Sequence, residues 1–171
     1  MTEKESRYET ITHTLKPLYN SESKILILGS FPSVKTREYG FFYGHPQNRF
    51  WPVMEKLFNV ELSRDIDERR DFLLSHDIAV FDSIYECDII GSSDASIKNV
   101  KPSNLVDIVK KADIKQVFCN GGTSYKYYKK YHAKKLGLKG VKLPSTSPAN
   151  ARYRLDDLLE EWSEILKYIG R

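Results

Sequence analysis

The sequence predicts an α/β fold: a three-layer α/β/α sandwich around a four-stranded, mostly parallel sheet. Three observations carry this expectation. Short apolar runs, each closed by Gly, Asp, Asn or Pro, have the make-up of strands buried on both faces. Segments with helical spacing of apolar residues lie between them, and strand–helix alternation is the signature of βαβ units. No repeat, low-complexity stretch or Pro/Gly/Ser-rich linker divides the 171 residues, a length that suits one domain (1–171) whose core needs no disulfide or metal staple.

Residues 1–20, opening MTEKESRYET, are expected to be an N-terminal extension, poorly ordered or helical. Lys24 to Leu28 (KILIL) then reads as the first buried strand, stopped at Gly29. Arg49 to Phe58 and Ile66 to Ser75 read as helices, and Ile78 to Phe81 (IAVF) as the second strand, ending at Asp82. Ser103 is placed as the N-cap of a helix to Ala112, because the apolar period of Leu105, Ile108 and Val109 begins just after it. Gln116 to Cys119 (QVFC) is the third strand, closed by Asn120-Gly121-Gly122, with a helix over Thr123 to Ala133 after it. Gly140 to Leu143 (GVKL) is the fourth strand, stopped by Pro144, and the last helix spans Arg154 to Ile169. Ligands of open parallel sheets bind beyond the carboxyl ends of the strands, so a site is expected in the loops starting at Gly29, Asp82, Asn120 and Pro144.

Hydrophobic residues at 40% and charged residues at 29% give a globular composition and exclude a disordered chain. No stretch approaches the roughly 18 apolar residues of a membrane span, and the N-terminus is too charged for a secretory signal. A soluble, cytoplasmic protein with no membrane partner is expected. Cys87 and Cys119 are too few and too far apart for a zinc ribbon or a four-cysteine cluster, and read as buried free thiols. A net charge of +4 with a pI near 8.9 favours a polyanionic partner. Between Thr123 and Lys142 the chain carries Lys126, Lys129, Lys130, Lys134, Lys135, Lys139 and Lys142, no acid, and interleaved Tyr125, Tyr127, Tyr128 and Tyr131. Such a segment either follows a phosphate backbone or is a solvated helix face whose tyrosines pack inward.

The loop after the first strand, GSFPSVKTREYGFFYGHPQNRFW from Gly29 to Trp51, is long and rich in Gly, Pro and aromatics. Long loops in compact domains tend to be functional, and an aromatic cluster at a glycine-flanked turn suits a pocket for a flat heterocycle. Phe50 and Trp51 read as core. Gly29-Ser30-Phe31-Pro32-Ser33, followed by Tyr43 to Trp51 (YGHPQNRFW), resembles the first motif of the uracil-DNA glycosylase superfamily. The HPxNRFW piece is similar to its mismatch-specific branch. Together with LPSTSPAN (Leu143 to Asn150) the block most closely resembles the hypoxanthine-DNA glycosylase branch, and the likeness runs from the first strand to the final helix.

The resemblance implies a monomeric, monofunctional glycosylase that flips a damaged base out of double-stranded DNA and hydrolyses its N-glycosidic bond without metal or cofactor. It implies that Tyr43 stacks on the flipped base, that Ser30, Phe31, His45, Asp82 and Asn120 surround that base, and that Asn48 is catalytic. Ser33, Ser145, Thr146 and Ser147 are candidates to grip phosphates, and Arg152, Tyr153 and Arg154 to fill or flank the gap left in the duplex. From the residues alone, Asp82 also reads as a capping aspartate, Asn120-Gly121-Gly122 as a turn, His45 as a hydrogen-bonded loop residue and Asn48 as a helix N-cap. Ser92-Ser93-Asp94 with Ile97 resembles a further family segment of no derived task.

Two departures bear on the substrate. Phe31 stands where the uracil-active branches carry an Asp or Asn that orients water, and Leu143 where some carry a histidine that stabilises the uracil anion. The hypoxanthine branch shares the first departure and takes its catalytic asparagine from HPxNRFW, here Asn48, whose amide can position water or base without being a strong base. No lysine lies in an apolar run that would make it an amine nucleophile, so hydrolysis to an abasic site without strand cleavage is expected. Excision of hypoxanthine is the expected function. The alternatives are uracil excision from G:U mismatches and a nucleic-acid-binding module without chemistry.

Overall fold

The structure is a computed structural model that describes residues 7–169. The four expected strands form one wholly parallel sheet. Numbered along the chain, these are β2 (Ile25–Gly29), β3 (Ile78–Asp82), β6 (Gln116–Asn120) and β7 (Gly140–Leu143), in the order β3-β2-β6-β7. Every residue of β2 and β3 is buried, which is why both read as unbroken apolar runs rather than alternating ones.

Helices cover this sheet. α2 (Phe50–Phe58) packs on α7 (Leu155–Trp162), α3 (Ile66–Ser75) lies against β3, and α5 (Gly122–Tyr131) lies against β6 and β7. α4 (Val106–Lys111) touches the short α6 (Ala133–Leu136). Phe50, Met54, Leu73, Phe118 and Trp162 lose all solvent contact in the same core cluster as the β2 leucines and isoleucines, each such side chain contributing about 1.5–3 kcal/mol of burial. The last helix ends at Trp162 and continues as a 3₁₀ turn over Ser163–Lys167, which keeps Leu158, Trp162, Ile165 and Ile169 on the buried side.

A second sheet went unforeseen. β1 (Glu9–Thr12), β4 (Ile84–Ile89) and β5 (Lys98–Pro102) form an antiparallel sheet in the order β1-β4-β5. Ser83 alone separates β3 from β4; its amide donates to the Gly29 carbonyl at 2.9 Å, so the chain steps from one sheet to the other beside the end of β2. Within residues 1–20, the described part is neither helical nor loose. Ile11 pairs with Cys87, and Leu18 exchanges backbone hydrogen bonds with Val80 at 3.0 and 2.9 Å, while residues 1–6 lie outside the described residues.

Two local expectations change as well. Ser103 caps nothing: α4 begins at Val106 after Leu105, and the Ser103 hydroxyl is buried without a partner. The long first loop contains a helix, α1 (Val34–Tyr39), whose N-cap is Ser33, accepting from the Thr36 amide at 3.1 Å. The serine hydroxyl takes one of the amides a helix start leaves unpaired.

Candidate active site

Beyond the carboxyl ends of the parallel strands lies a cavity of about 580 Å³, of the size that holds a small ligand. Its wall takes Gly29, Ser30, Phe31, Tyr43, His45 and Asn48 from the first loop, Asp82 from the end of β3, Asn120 from the end of β6, and Ser145, Thr146 and Ser147 from the loop after β7.

Tyr43 sits at a φ of 55°, the left-handed region that an ordinary side chain enters at a cost. That backbone lays the phenol ring parallel to Phe50, with centroids 4.2 Å apart and planes at 20°. One face of the ring is thus backed by core, and the ring itself forms cavity wall. Its hydroxyl is buried without a hydrogen-bond partner, and burial, with nearby Asp82 adding, pushes the phenol far above its ordinary value of 10.0. Gly29 makes room here: a Cβ at that position would lie 2.4 Å from Asp82 Oδ1 and 3.4 Å from the Tyr43 hydroxyl. Only a residue without a side chain lets both groups meet the end of β2.

Asn48 belongs to a chain of amide and hydroxyl hydrogen bonds. Its Oδ1 accepts from the Phe50 amide at 2.9 Å and from the Thr146 hydroxyl at 2.8 Å. Thr146 Oγ1 in turn accepts from Asn120 Nδ2 at 2.9 Å, and the Thr146 amide donates to Asn120 Oδ1 at 3.0 Å. Asn48 is not the N-cap that the residues alone suggested: Arg49 holds that position and makes no side-chain cap bond, while the Asn48 oxygen, one residue earlier, accepts from the Phe50 amide and from Thr146, and its amino group makes no hydrogen bond among the described residues. Thr146, expected at the DNA backbone, is fully buried and spends its hydroxyl here. Asn120, expected at the base, has both ends of its amide committed to Thr146.

Arg49 clamps the same loop. Its guanidinium donates to the carbonyls of Tyr153, of Ser147 at 2.7 Å and of Asn150 at 3.0 Å, and its backbone amide donates to Thr146 O at 3.0 Å. Sequence reasoning passed over Arg49, although its place beside Asn48 in the motif was the available signal.

It also missed His13. The side chain is fully buried and its Nε2 lies 2.7 Å from Asp82 Oδ2, while Nδ1 accepts from the Leu15 amide at 3.1 Å. Asp82 is therefore more than a cap: Oδ2 is held from behind, and Oδ1 has no protein hydrogen bond among the described residues. A second carboxyl, Asp94, accepts from Ser30 Oγ at 3.2 Å on the same wall. Asp94 is an exposed residue, yet loss of hydration around its carboxyl raises its pKa, with the hydrogen bond from Ser30 opposing and Asp82 adding to the rise.

A family model described as the Uracil DNA glycosylase superfamily matches residues 16–169. The chain belongs to the uracil DNA glycosylase superfamily. Among similar proteins is a hypoxanthine DNA glycosylase of Methanosarcina barkeri, 31% identical over 157 residues, covering 88% of this chain and 95% of that protein. A hypoxanthine DNA glycosylase of Methanosarcina acetivorans is 25% identical over 150 residues, covering 87% and 94%. In fold, the chain matches a solution NMR structure of a protein from Methanosarcina acetivorans, described there as a candidate uracil DNA glycosylase. The TM-score is 0.78 at 22% identity, over 95% of this chain and all of that one.

Around the cavity of this uracil DNA glycosylase superfamily member, the remaining expected residues divide into organisers and surface groups. Ser33 caps α1, and His45 closes a turn by accepting from the Gln47 amide at 3.0 Å. Ser145 and Ser147 accept from amides two residues on, at 3.1 and 3.2 Å, leaving their hydroxyl hydrogens free for an anion. Phe31 is buried against Ile84, Cys87 and Ile89. Arg152 and Arg154 are exposed; Tyr153 is half-buried, its carbonyl held by Arg49, and Arg154 opens α7, its amide bonded to Asp157 at 2.9 Å.

On α5 Tyr127 and Tyr128 pack inward, Tyr125 and Tyr131 are half-buried, and Lys126, Lys129 and Lys130 stay exposed and line a shallow groove with Tyr125 and Lys142. Cys87 and Cys119 are free and buried, and burial lifts their thiols to about 11 and about 12, away from nucleophilic thiolate. No described helix is long and apolar enough to cross a membrane.

Proposed function

We propose that this DNA glycosylase excises hypoxanthine from double-stranded DNA by hydrolysis, leaving an abasic site. The observation that carries the reading is the state of the Asn48 amide. Asn48 lines the cavity, and with Oδ1 saturated by the Phe50 amide and the Thr146 hydroxyl the group it has left for a ligand is Nδ2, a donor. A donor suits the O6 of hypoxanthine, on which negative charge gathers as the glycosidic bond breaks, and it has no acceptor to meet in the 6-amino group of adenine. The flipped base would lie on Tyr43, stiffened from behind by Phe50.

Three further observations support the substrate. Phe31 offers no group that could hold water, Leu143 offers none that could stabilise a uracil anion, and two relatives over most of the chain are named hypoxanthine DNA glycosylases. The cavity wall's one lysine among the described residues is Lys35, its side chain 60% exposed and 3.6 Å from Glu38, so no desolvated amine stands ready to form a Schiff base. The exposed lysines of α5, with Ser145 and Ser147, are suited to the phosphates of the bound strand.

The test uses duplexes with a single deoxyinosine or deoxyuridine and alkali to reveal abasic sites. Deoxyinosine strands are cut only after alkali, deoxyuridine strands far more slowly. Removing one preorganised donor typically lowers the rate on the order of 10²–10³-fold, which is the loss expected for Asn48→Ala with duplex binding kept. Preferred release of uracil, or full activity of Asn48→Ala, would refute the proposal.

A further inference from the structure

We infer that Arg64 and Tyr39 are positioning residues that act through Tyr43: together they clamp Gly44 and so hold the left-handed backbone on which the base-stacking ring is mounted. The inference rests on the reading of Tyr43 as the stacking plane and deepens it.

A residue with a side chain persists in the left-handed region only where its surroundings over-determine it, and Tyr43, at a φ of 55°, needs such a cause. Its own ring supplies only part of one. The ring lies flat on Phe50, but its hydroxyl bonds to nothing. The rest comes from Gly44, which is held at its amide, its carbonyl and its Cα. The amide donates to Thr36 Oγ1 at 3.2 Å, the carbonyl accepts from Arg64 Nη2 at 2.9 Å, and the bare Cα rests on Tyr39. A Cβ there would lie 2.5 Å from Tyr39 Cδ2 and 2.7 Å from Tyr39 Cβ. Thr36 and Tyr39 stand one helical turn apart on α1, so the same face of that helix presents both to the glycine.

Arg64 is itself anchored. It sits between Ser63 and Asp65, and both are tied to the first turn of α3: the Ser63 amide donates to Glu68 Oε1 at 3.1 Å, and the Asp65 carboxylate accepts from the Glu68 amide at 2.9 Å. The Arg64 guanidinium lies over the Tyr39 ring at 4.5 Å, while the Tyr39 hydroxyl donates to the Arg64 carbonyl, so each residue holds the other. Arg64 forms no salt bridge among the described residues. Its charge is committed to a ring and a backbone carbonyl, a pairing that uses the flat, forked guanidinium and that a lysine would not reproduce. Neither Arg64 nor Tyr39 lines the cavity, whereas Tyr43 does. Their route to the base is therefore the backbone at Gly44.

The experiment measures single-turnover release of hypoxanthine at saturating full-length enzyme, together with affinity for an undamaged duplex across a salt series and the melting temperature of each variant. Arg64→Ala is expected to slow release on the order of tenfold, and by no more than Tyr43→Ala does, with the affinity and its salt dependence unchanged. Arg64→Lys should fall between Arg64→Ala and wild type. Gly44→Ala, which pushes on Tyr39 from the other side, should reproduce the loss. The deciding arm is the double variant: in a Tyr43→Ala background Arg64→Ala should slow release no further, because residues that act through one another are not additive. A purely structural role would lower the melting temperature and leave the saturating rate intact below it. A wild-type rate in Arg64→Ala, a further loss in the double variant, or a weakened salt dependence that marks a direct phosphate contact overturns the inference. Tyr43→Ala at the wild-type rate overturns the stacking plane instead. A deoxyinosine duplex left uncut by wild type overturns the hypoxanthine reading, and the Arg64 arms are then run on the base that is released.

Discussion

Replacing Arg49 should damage stability and catalysis together. The guanidinium makes three good bonds to backbone carbonyls, those of Tyr153, Ser147 and Asn150, and a longer one to Thr146 at 3.4 Å. Hydrogen bonds to a charged group are worth about 1.5–3 kcal/mol each. Arg49 is half-buried, so water can reach part of what it leaves, and the lower figure applies. Three bonds at that value give roughly 4 kcal/mol for Arg49→Ala, and at about 2–4 °C per kcal/mol for a domain of this size the melting temperature falls by about 10 °C. Arg49→Lys keeps one or two bonds and about half the loss. The backbone bond from the Arg49 amide to Thr146 survives either change. Because Thr146 holds Asn48 at 2.8 Å, loosening the loop should also slow base release in the fully folded protein below its melting range. Thermal melts followed by single-turnover assays at 20 °C below the lower transition read both effects. An Arg49→Ala protein that melts within about 2 °C of wild type and cuts at full rate would refute the clamp.

Tyr43→Phe removes a buried hydroxyl that bonds to nothing, so it should melt at or slightly above the wild-type temperature and retain base release, whereas Tyr43→Ala should lose at least tenfold in rate by losing the stacking plane. A sharp loss in Tyr43→Phe would show that the hydroxyl meets substrate. His132 is buried and donates from Nε2 to the Ser83 carbonyl at 2.8 Å, and burial holds its pKa below the ordinary 6.5. The unfolded chain therefore binds a proton more readily than the folded one. This stabilisation is whole above pH 6.5 and is lost as pH falls toward the depressed folded value, so urea midpoints should drop on that limb and drop less in His132→Gln.

What the sequence disclosed tracks burial closely. β2 and β3 were legible because every position is buried, and α2 and α7 because their apolar spacing matched one face. β1 and β5 were illegible for the converse reason: ETIT and KNVKP are almost wholly exposed, and the pairing of β4 with β5 is broken by register shifts, so no period of two survives. In the site, Tyr43, Asn48, Asp82 and Asn120 stood at strand ends or in a long loop, where topology told the reader to look, and they do line one cavity. His13 lies 69 residues from Asp82 and one residue past the end of β1, a partnership no local pattern encodes. Thr146 looked like its serine neighbours, and only its complete burial sets it apart as a structural link.

The cavity draws on segments from Gly29 to Ala149, with His13 bonded to Asp82 in its wall, and β7 is the last of the four parallel strands along the chain. Asn48 lies 98 residues before the threonine that holds it, and the His13–Asp82 contact spans 69 residues beside the β1–β4 pairing, the non-local kind of contact that forms slowly. A chain cut after Leu143 would keep all four parallel strands but lack the hydroxyl that holds the Asn48 amide, so such a fragment is expected to lose base release.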